Sequence, residues 1–376
     1  MAIDPVLVVG GGPAGLAAAA ALHGRGIPAL VLEKSDAVGA SWRGHYERLH
    51  LHTTRTLSRL PGLGFPRRYG RWVARADVVE YLESYVEHHH LRVRTGVEVR
   101  SIEPGADGRW VLDTSAGPMS AREVVVATGY NHTPVPPDWP GTFSGELLHA
   151  STYRNAMPFR GRDVLVVGTG NTGAEIAVDL TEGGAARVRL AVRTPPHIVR
   201  RSNLGWPAQG TGILVRRLPV PLVDRIARVV ARAEVPDLSP FGLPRPTTGL
   251  YTRVLAGSVP LQDVGLIAAV QARTVEPVAA VVSFEDGAVV LADGSRITPE
   301  VLIAATGYRR GLEPLVGGLG ILDDRGLPTR SAPGLYFTGY TNPISGMFRE
   351  LRLDARRIAR AVSRRRGAAA DVGRTR

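Results

Sequence analysis

Two short glycine patterns hold the residues with the clearest chemical use. Gly10-x-Gly12-x-x-Gly15 follows the apolar run Val6 to Val9 and opens a small-residue stretch. In a strand, turn and helix, the first glycine makes the tight turn, the second lets a pyrophosphate approach the backbone, and the third lets helix pack on strand. Pro13 and Ala14 begin the helix, whose free N–H groups face the phosphates. Glu33 lies eighteen residues after Gly15, where a carboxylate accepts hydrogen bonds from an adenosine ribose. An acid there suits the unphosphorylated ribose of FAD or NAD. The second pattern is Gly168-x-Gly170-x-x-Gly173, with Asn171 and Thr172 inside it. Its second strand ends in Arg193 rather than an acid, and a guanidinium pairs with a ribose 2′-phosphate, which points to NADPH. Arg200 and Arg201 are further candidates for the phosphate pocket.

The elements that must position these residues repeat. The two glycine turns are 158 positions apart, each flanked by β-branched apolar runs that read as buried parallel strands. The strands Val124 to Val126 and Val301 to Ala304 then run into two matching tetrapeptides, Ala127-Thr128-Gly129-Tyr130 and Ala305-Thr306-Gly307-Tyr308. This grammar predicts an α/β fold of two Rossmann-like dinucleotide-binding domains, the NADPH domain inserted into the FAD domain. The expected boundaries are 1–157 and 311–366 for the FAD domain, 158–310 for the NADPH domain, and 367–376 as a disordered tail. Asn131 to Pro140 reads as a linker and Leu238 to Gly249 as a second proline-rich stretch.

Composition narrows the chemistry. A chain of 376 residues, 44% hydrophobic and 21% charged, belongs to ordinary globular proteins and predicts two domains. It has no cysteine, which removes disulfides, thiolate metal sites, cysteine nucleophiles and redox relays through a Cys pair. The net charge is +12, and Lys34 is the only lysine. Residues 349–376 carry ten arginines against three acids. This reads as a solvated helix end and tail rather than a nucleic-acid contact. Pro5 to Leu22 is broken by Gly10-Gly11-Gly12-Pro13, and Ile213 to Ala233 is cut by charges, so neither spans a bilayer. In the latter stretch Leu222, Val223, Ile226, Ala227 and Val230 share one helical face, which predicts packing on the protein. His88-His89-His90 has no acids at ligand spacing, so no metal is expected.

Phe143, Gly145, His149, Tyr153 and Arg154 fit the pattern Phe-x-Gly-x-x-x-His-x-x-x-(Tyr or Phe)-(Lys or Arg), and here the chain resembles the flavin-containing monooxygenases. Glu47 to His52, Phe159-Arg160-Gly161, Phe241 to Pro246 and Val259 to Gly265 are similar to the YUCCA-type branch of that family. The resemblance implies FAD and NADPH as cofactors and no catalytic triad. It places Gly39 to Trp42, with Ser41, and the strand end Ala127, Thr128 and Gly129 against FAD. Gly339, Tyr340 and Ser345 would meet the isoalloxazine end, and Thr306, Gly307 and Tyr308 the nicotinamide nucleotide. Arg55, His149 and Tyr153 are the candidates for residues near the chemistry, His149 as an orienting group. Arg55 stands where the branch tends to carry lysine, and Tyr130 where it tends to carry an acid.

The implied activity is oxygenation of a small organic molecule with O2, through addition of oxygen at flavin C4a in a dry site. Heteroatom oxygenation and Baeyer–Villiger-like oxidative decarboxylation of a 2-oxo acid both stay open. An NADPH-dependent reductase feeding a partner protein, or a flavoprotein module on nucleic acid, are the alternatives. A cytoplasmic location is expected, and a homodimer stays open.

Overall fold

The computed structural model describes residues 4–329, 332–341 and 343–374. The chain divides into two compact units, residues 1–43, 54–133 and 308–376 forming one and residues 44–53 and 134–307 the other. Each is built on a five-stranded parallel sheet.

In the first unit the strands lie in the order Leu335–Phe337, Val124–Val126, Val6–Val9, Ala29–Leu32, Arg92–Arg94. Val6–Val9 is buried along its whole length, as a central strand covered on both faces must be. The helix Pro13–His23 follows it with Pro13 in its first turn, where the missing N–H costs nothing. That helix packs against Met347–Arg374 on one face of the sheet. The other face is closed by Val97, Ile102, Trp110, Leu112, Leu312 and Leu315.

The second unit repeats the plan in the order Val275–Ala279, Arg187–Val192, Asp163–Val167, Val301–Ala304, Glu146–His149. In both sheets the glycine-turn strand is central. The strand after its helix lies on one side, and the strand leading into Ala-Thr-Gly-Tyr lies on the other. Each unit also carries a three-stranded antiparallel sheet, Val99–Pro104 with Trp110–Thr114 and Met119–Ala121, and Val281–Glu285 with Ala288–Leu291 and Arg296–Ile297. Among the described residues no helix is long and apolar enough to cross a membrane.

Two expectations need correction. The last helix continues through Gly367 to Arg374, over most of the segment read as a disordered tail. One glycine costs a helix about 1 kcal/mol, and Ala368 to Ala370 favour the same state. The apolar face of Val220–Glu234 is the second. Only Val223 and Asp224 are buried, while Leu222, Ile226 and Val230 are 45%, 39% and 43% exposed. Periodicity gave the stripe correctly, but the helix leans on its unit at one edge alone.

Candidate active site

The first glycine turn is closed by backbone. Gly10 has φ of +109°, and a Cβ there would stand 2.5 Å from the Ala127 carbonyl oxygen. A Cβ on Gly15 would stand 2.0 Å from the Gly10 oxygen, whereas one on Gly12 would meet nothing within 4 Å. Gly10 and Gly15 therefore seal the turn and Gly12 between them opens it outward, the arrangement a pyrophosphate requires. The Glu33 carboxylate is buried under the turn and accepts hydrogen bonds from Gly11 N at 2.6 Å and Ser35 N at 2.9 Å. It shapes the loop, and each oxygen keeps a lone pair for a ribose hydroxyl.

The strand end Ala127-Thr128-Gly129 is held by Tyr340, whose hydroxyl accepts from Thr128 N at 3.0 Å and bonds Thr128 Oγ1 at 2.8 Å. Burial pushes the Tyr340 phenol up to about 12, so it stays protonated. Gly339, at φ of +89°, lies where a Cβ would press Ala14 Cβ at 3.1 Å. Ser345 donates to Glu350 at 2.7 Å, within the start of the last helix. Trp42 meets Phe348 edge-on at 6.0 Å, while Lys34 and Ser41 are exposed. Arg55 also lies in this unit, with its Nε buried and no hydrogen-bond partner for that atom. Arg310 stacks 3.3 Å above the Tyr130 ring.

The second turn reproduces the first almost to the tenth of an ångström. A Cβ on Gly168, at φ of +119°, would stand 2.5 Å from the Ala305 oxygen, and one on Gly173 would stand 1.9 Å from the Gly168 oxygen. Gly170 again faces open space. Ala127 and Ala305 are the alanines of the two repeated tetrapeptides, so the echo in the sequence has a cause: each supplies the carbonyl on which a nucleotide turn rests. From this second turn a cavity of about 370 Å3 extends past Thr169, Arg193, Thr194, His197 and Arg253. Both turns offer open approach at the middle glycine and closed packing at the outer two, which fits one dinucleotide in each unit.

Several candidates also bond the protein frame. Asn171 accepts from Gln262 N at 2.7 Å and donates to Pro260 O at 3.4 Å, tying the strand Leu261–Asp263 to the start of the nucleotide helix. Thr172 bonds Tyr46. Arg201 donates to Leu51 O at 2.7 Å, and the cavity at the second turn is lined by Arg193 instead. Arg200 donates to Glu234 O at 2.8 Å. Thr306 donates to Val135 O at 2.5 Å, and Tyr308 opens the return to the first unit.

The five fingerprint residues share one task. His149 ends the edge strand Glu146–His149, and its Nε2 donates to Gly307 O at 3.2 Å while Nδ1 accepts from Ser151 N at 3.1 Å. Burial lowers its pKa, so the neutral imidazole with the proton on Nε2 is the form this geometry uses. The Tyr153 hydroxyl donates to Asp179 at 2.6 Å, and its ring stacks on Phe159 at 5.6 Å. Arg154 donates to Ser151 O and Tyr153 O at 2.8 and 3.0 Å. A Cβ on Gly145 would stand 2.5 Å from the Glu300 oxygen, and the Phe143 ring lies 5.4 Å from Phe284. The pattern fastens the edge strand and the turn after it onto the second unit. His149 and Tyr153 both spend their polar atoms on neighbouring protein groups.

One cluster escaped sequence reasoning. Glu175, two residues past Gly173, is 3% exposed and accepts from Tyr46 at 3.1 Å and from His52. Arg48 pairs with Glu182 and lies 3.7 Å from Asp179. Burial and the Glu175 carboxylate push the Tyr46 phenol well above its ordinary value, keeping it a donor. The segment 44–53 is thereby bound to the nucleotide helix Asn171–Glu182. The available signal was a lone acid in the apolar run Ala174-Glu175-Ile176-Ala177-Val178, since a buried charge demands partners.

Residues 7–204 match the family model described as pyridine nucleotide-disulphide oxidoreductase. The chain is 37% identical to indole-3-pyruvate monooxygenase YUCCA1 of Oryza sativa subsp. japonica over 90% of its own length and 87% of that protein. It is 32% identical to the probable indole-3-pyruvate monooxygenase YUCCA9 of Arabidopsis thaliana over 90% and 85%. Among solved structures, a flavin-containing monooxygenase from Stenotrophomonas maltophilia superposes with a TM-score of 0.70 at 23% identity, covering 94% of this chain and 98% of that one. Caprolactone-bound cyclohexanone monooxygenase superposes at 0.72 and 21%, covering 97% and 88%. These two share the fold.

Proposed function

Because the chain belongs to the YUCCA-type family of flavin-dependent monooxygenases, we propose that it uses FAD in the first unit and NADPH in the second to convert an aryl 2-oxo acid into the acid one carbon shorter. The overall balance is R-CO-COOH + O2 + NADPH + H+ → R-COOH + CO2 + NADP+ + H2O. When bound, NADPH supplies the hydride and FAD the centre where oxygen is activated. With no cysteine in the chain, the disulphide chemistry in the wider family's description has no residue here to carry it.

The observation that carries this reading is the duplicated turn, sealed by backbone at Gly10, Gly15, Gly168 and Gly173 and open at Gly12 and Gly170. The chain's own contribution is placement. Glu33 presents its remaining lone pairs to an adenosine ribose, and Arg193 offers a guanidinium to a 2′-phosphate. His149 holds the Gly307 carbonyl, and with it the strand end beneath the second turn. Tyr340 does the same for Thr128 in the first. The 2-oxo acid follows the relatives' named substrate, indole-3-pyruvate.

The test is product analysis with indole-3-pyruvate, phenylpyruvate, a tertiary amine and a thioether, each against NADPH consumed. The reading expects CO2 and the shortened acid in step with NADPH from at least one 2-oxo acid. Oxygenated amine or thioether with neither 2-oxo acid turned over would replace this substrate class by heteroatom oxygenation.

A further inference from the structure

The stretch between the second turn's cavity and the exposed helix Val220–Glu234 has no part in the reading above, yet its contacts converge on the cavity. Asp224, on that helix, is 9% exposed and spends its carboxylate on the next short helix, Leu250–Leu255. It accepts from Tyr251 N at 2.5 Å, Thr252 N at 3.3 Å and Thr252 Oγ1 at 2.6 Å. A Cβ on Gly249 would stand 2.0 Å from Asp224 Oδ2, so glycine is required for this approach. Tyr251 donates to Arg216 O at 2.9 Å. Beyond the short helix the chain is pinned again, where Asn171 takes Gln262 N and His197 O takes Leu261 N at 2.8 Å. A six-residue helix fixed on both sides holds one face still, and on that face Leu250 and Arg253 reach the cavity wall.

Among the described residues the wall contains Arg193 and Arg253, from two separate elements, and no aspartate or glutamate. Two guanidiniums drawn to one cavity that starts at a dinucleotide turn call for a ligand with two negative charges. His197 feels the same field: its imidazole is lowered by burial first and by Arg253 next. We propose that Arg253 is a second specificity-determining cation for the 2′-phosphomonoester of the pyridine nucleotide, and that Asp224 is the positioning residue that aims it. The inference rests on the reading of this cavity as the NADPH site and names the element that makes it selective. A phosphodiester carries one charge and Arg193 alone answers it, whereas a phosphomonoester near neutral pH is close to a dianion and uses both.

The test is direct titration of FAD-loaded enzyme with adenosine 2′,5′-bisphosphate and with 5′-AMP, which differ only in the 2′-phosphate, independent of turnover. Arg253→Ala should raise the dissociation constant of the bisphosphate about tenfold or more and that of 5′-AMP less than about twofold. Arg253→Lys should recover part of the loss. Asp224→Asn should give a smaller loss with the same selectivity for the bisphosphate, which a general loss of stability would not produce. Arg193→Ala is the reference. If it weakens the bisphosphate selectively while Arg253→Ala weakens both ligands alike or neither, the role of Arg253 is overturned and the NADPH reading stands. If wild-type enzyme binds the two ligands equally, the NADPH reading of the cavity fails first.

Discussion

Arg193 and Glu33 make the same argument with opposite signs, each standing where the second strand of its unit ends. Replacing Arg193 with alanine should cost NADPH binding about 1.5–3 kcal/mol, the range for hydrogen bonds to charged groups, with NADH binding nearly unchanged. Titration with both nucleotides measures this, and equal losses would place the phosphate elsewhere. Glu175 is a different case, because it is buried and satisfied by Tyr46 and His52 rather than left for a ligand. Glu175→Ala should strand two donors and lower stability by about 1–3 kcal/mol for each one left unpaired, read as a fall in Tm. The glycine patterns were legible because everything they need lies within a few residues. The Glu175 cluster was not, because its partners lie 129 and 123 positions away, and a one-dimensional pattern carries no sign of who will satisfy a buried charge. The same distance hid a contact of Arg201, which donates to Leu51 O, 150 residues earlier.

At the scale of elements, the two turns predict a contrast between neighbouring glycines. Gly170→Ala adds a methyl that meets no protein atom, so stability should change by less than about 0.5 kcal/mol while dinucleotide affinity falls. Gly173→Ala puts the same methyl 1.9 Å from the Gly168 oxygen, so backbone must move and Tm must drop. Melting curves paired with NADP titrations separate the two outcomes, and equal melting behaviour would mean the turn does not pack as described. The last helix offers a second contrast. Arg366 pairs with the buried Glu123 at 2.8 Å and donates to Asp4 O. Deleting residues 367–376 should leave FAD content unchanged, whereas removing Arg366 as well should destabilise the first unit. The sequence showed the arginines of this helix but not that one of them reaches an acid 243 positions away. For Val220–Glu234, amphipathicity was legible and its partner was not, since a stripe defines a face without defining what covers it.

For the molecule as a whole, burial holds His89, His132, His149 and His197 below the ordinary imidazole value. Each binds a proton more readily in the unfolded chain, so stability is full above the unfolded value of about 6.5 and is lost as pH falls from there toward the folded values. Thermal melts between pH 8 and pH 5 should show this loss, and His149→Gln, which keeps a donor for Gly307 O, should reduce it. A dinucleotide turn in each unit supplies a hydride donor and a flavin from one chain, and the family's chemistry uses the pair to activate oxygen for insertion into a substrate. The most direct measurement is stopped-flow absorbance of the FAD enzyme, reduced anaerobically by NADPH and then mixed with oxygen. A monooxygenase should show a transient spectrum distinct from both reduced and oxidised flavin, longer-lived with NADP bound than after its removal. Direct passage from the reduced to the oxidised spectrum, with one hydrogen peroxide released per flavin whether or not NADP is present, would contradict it.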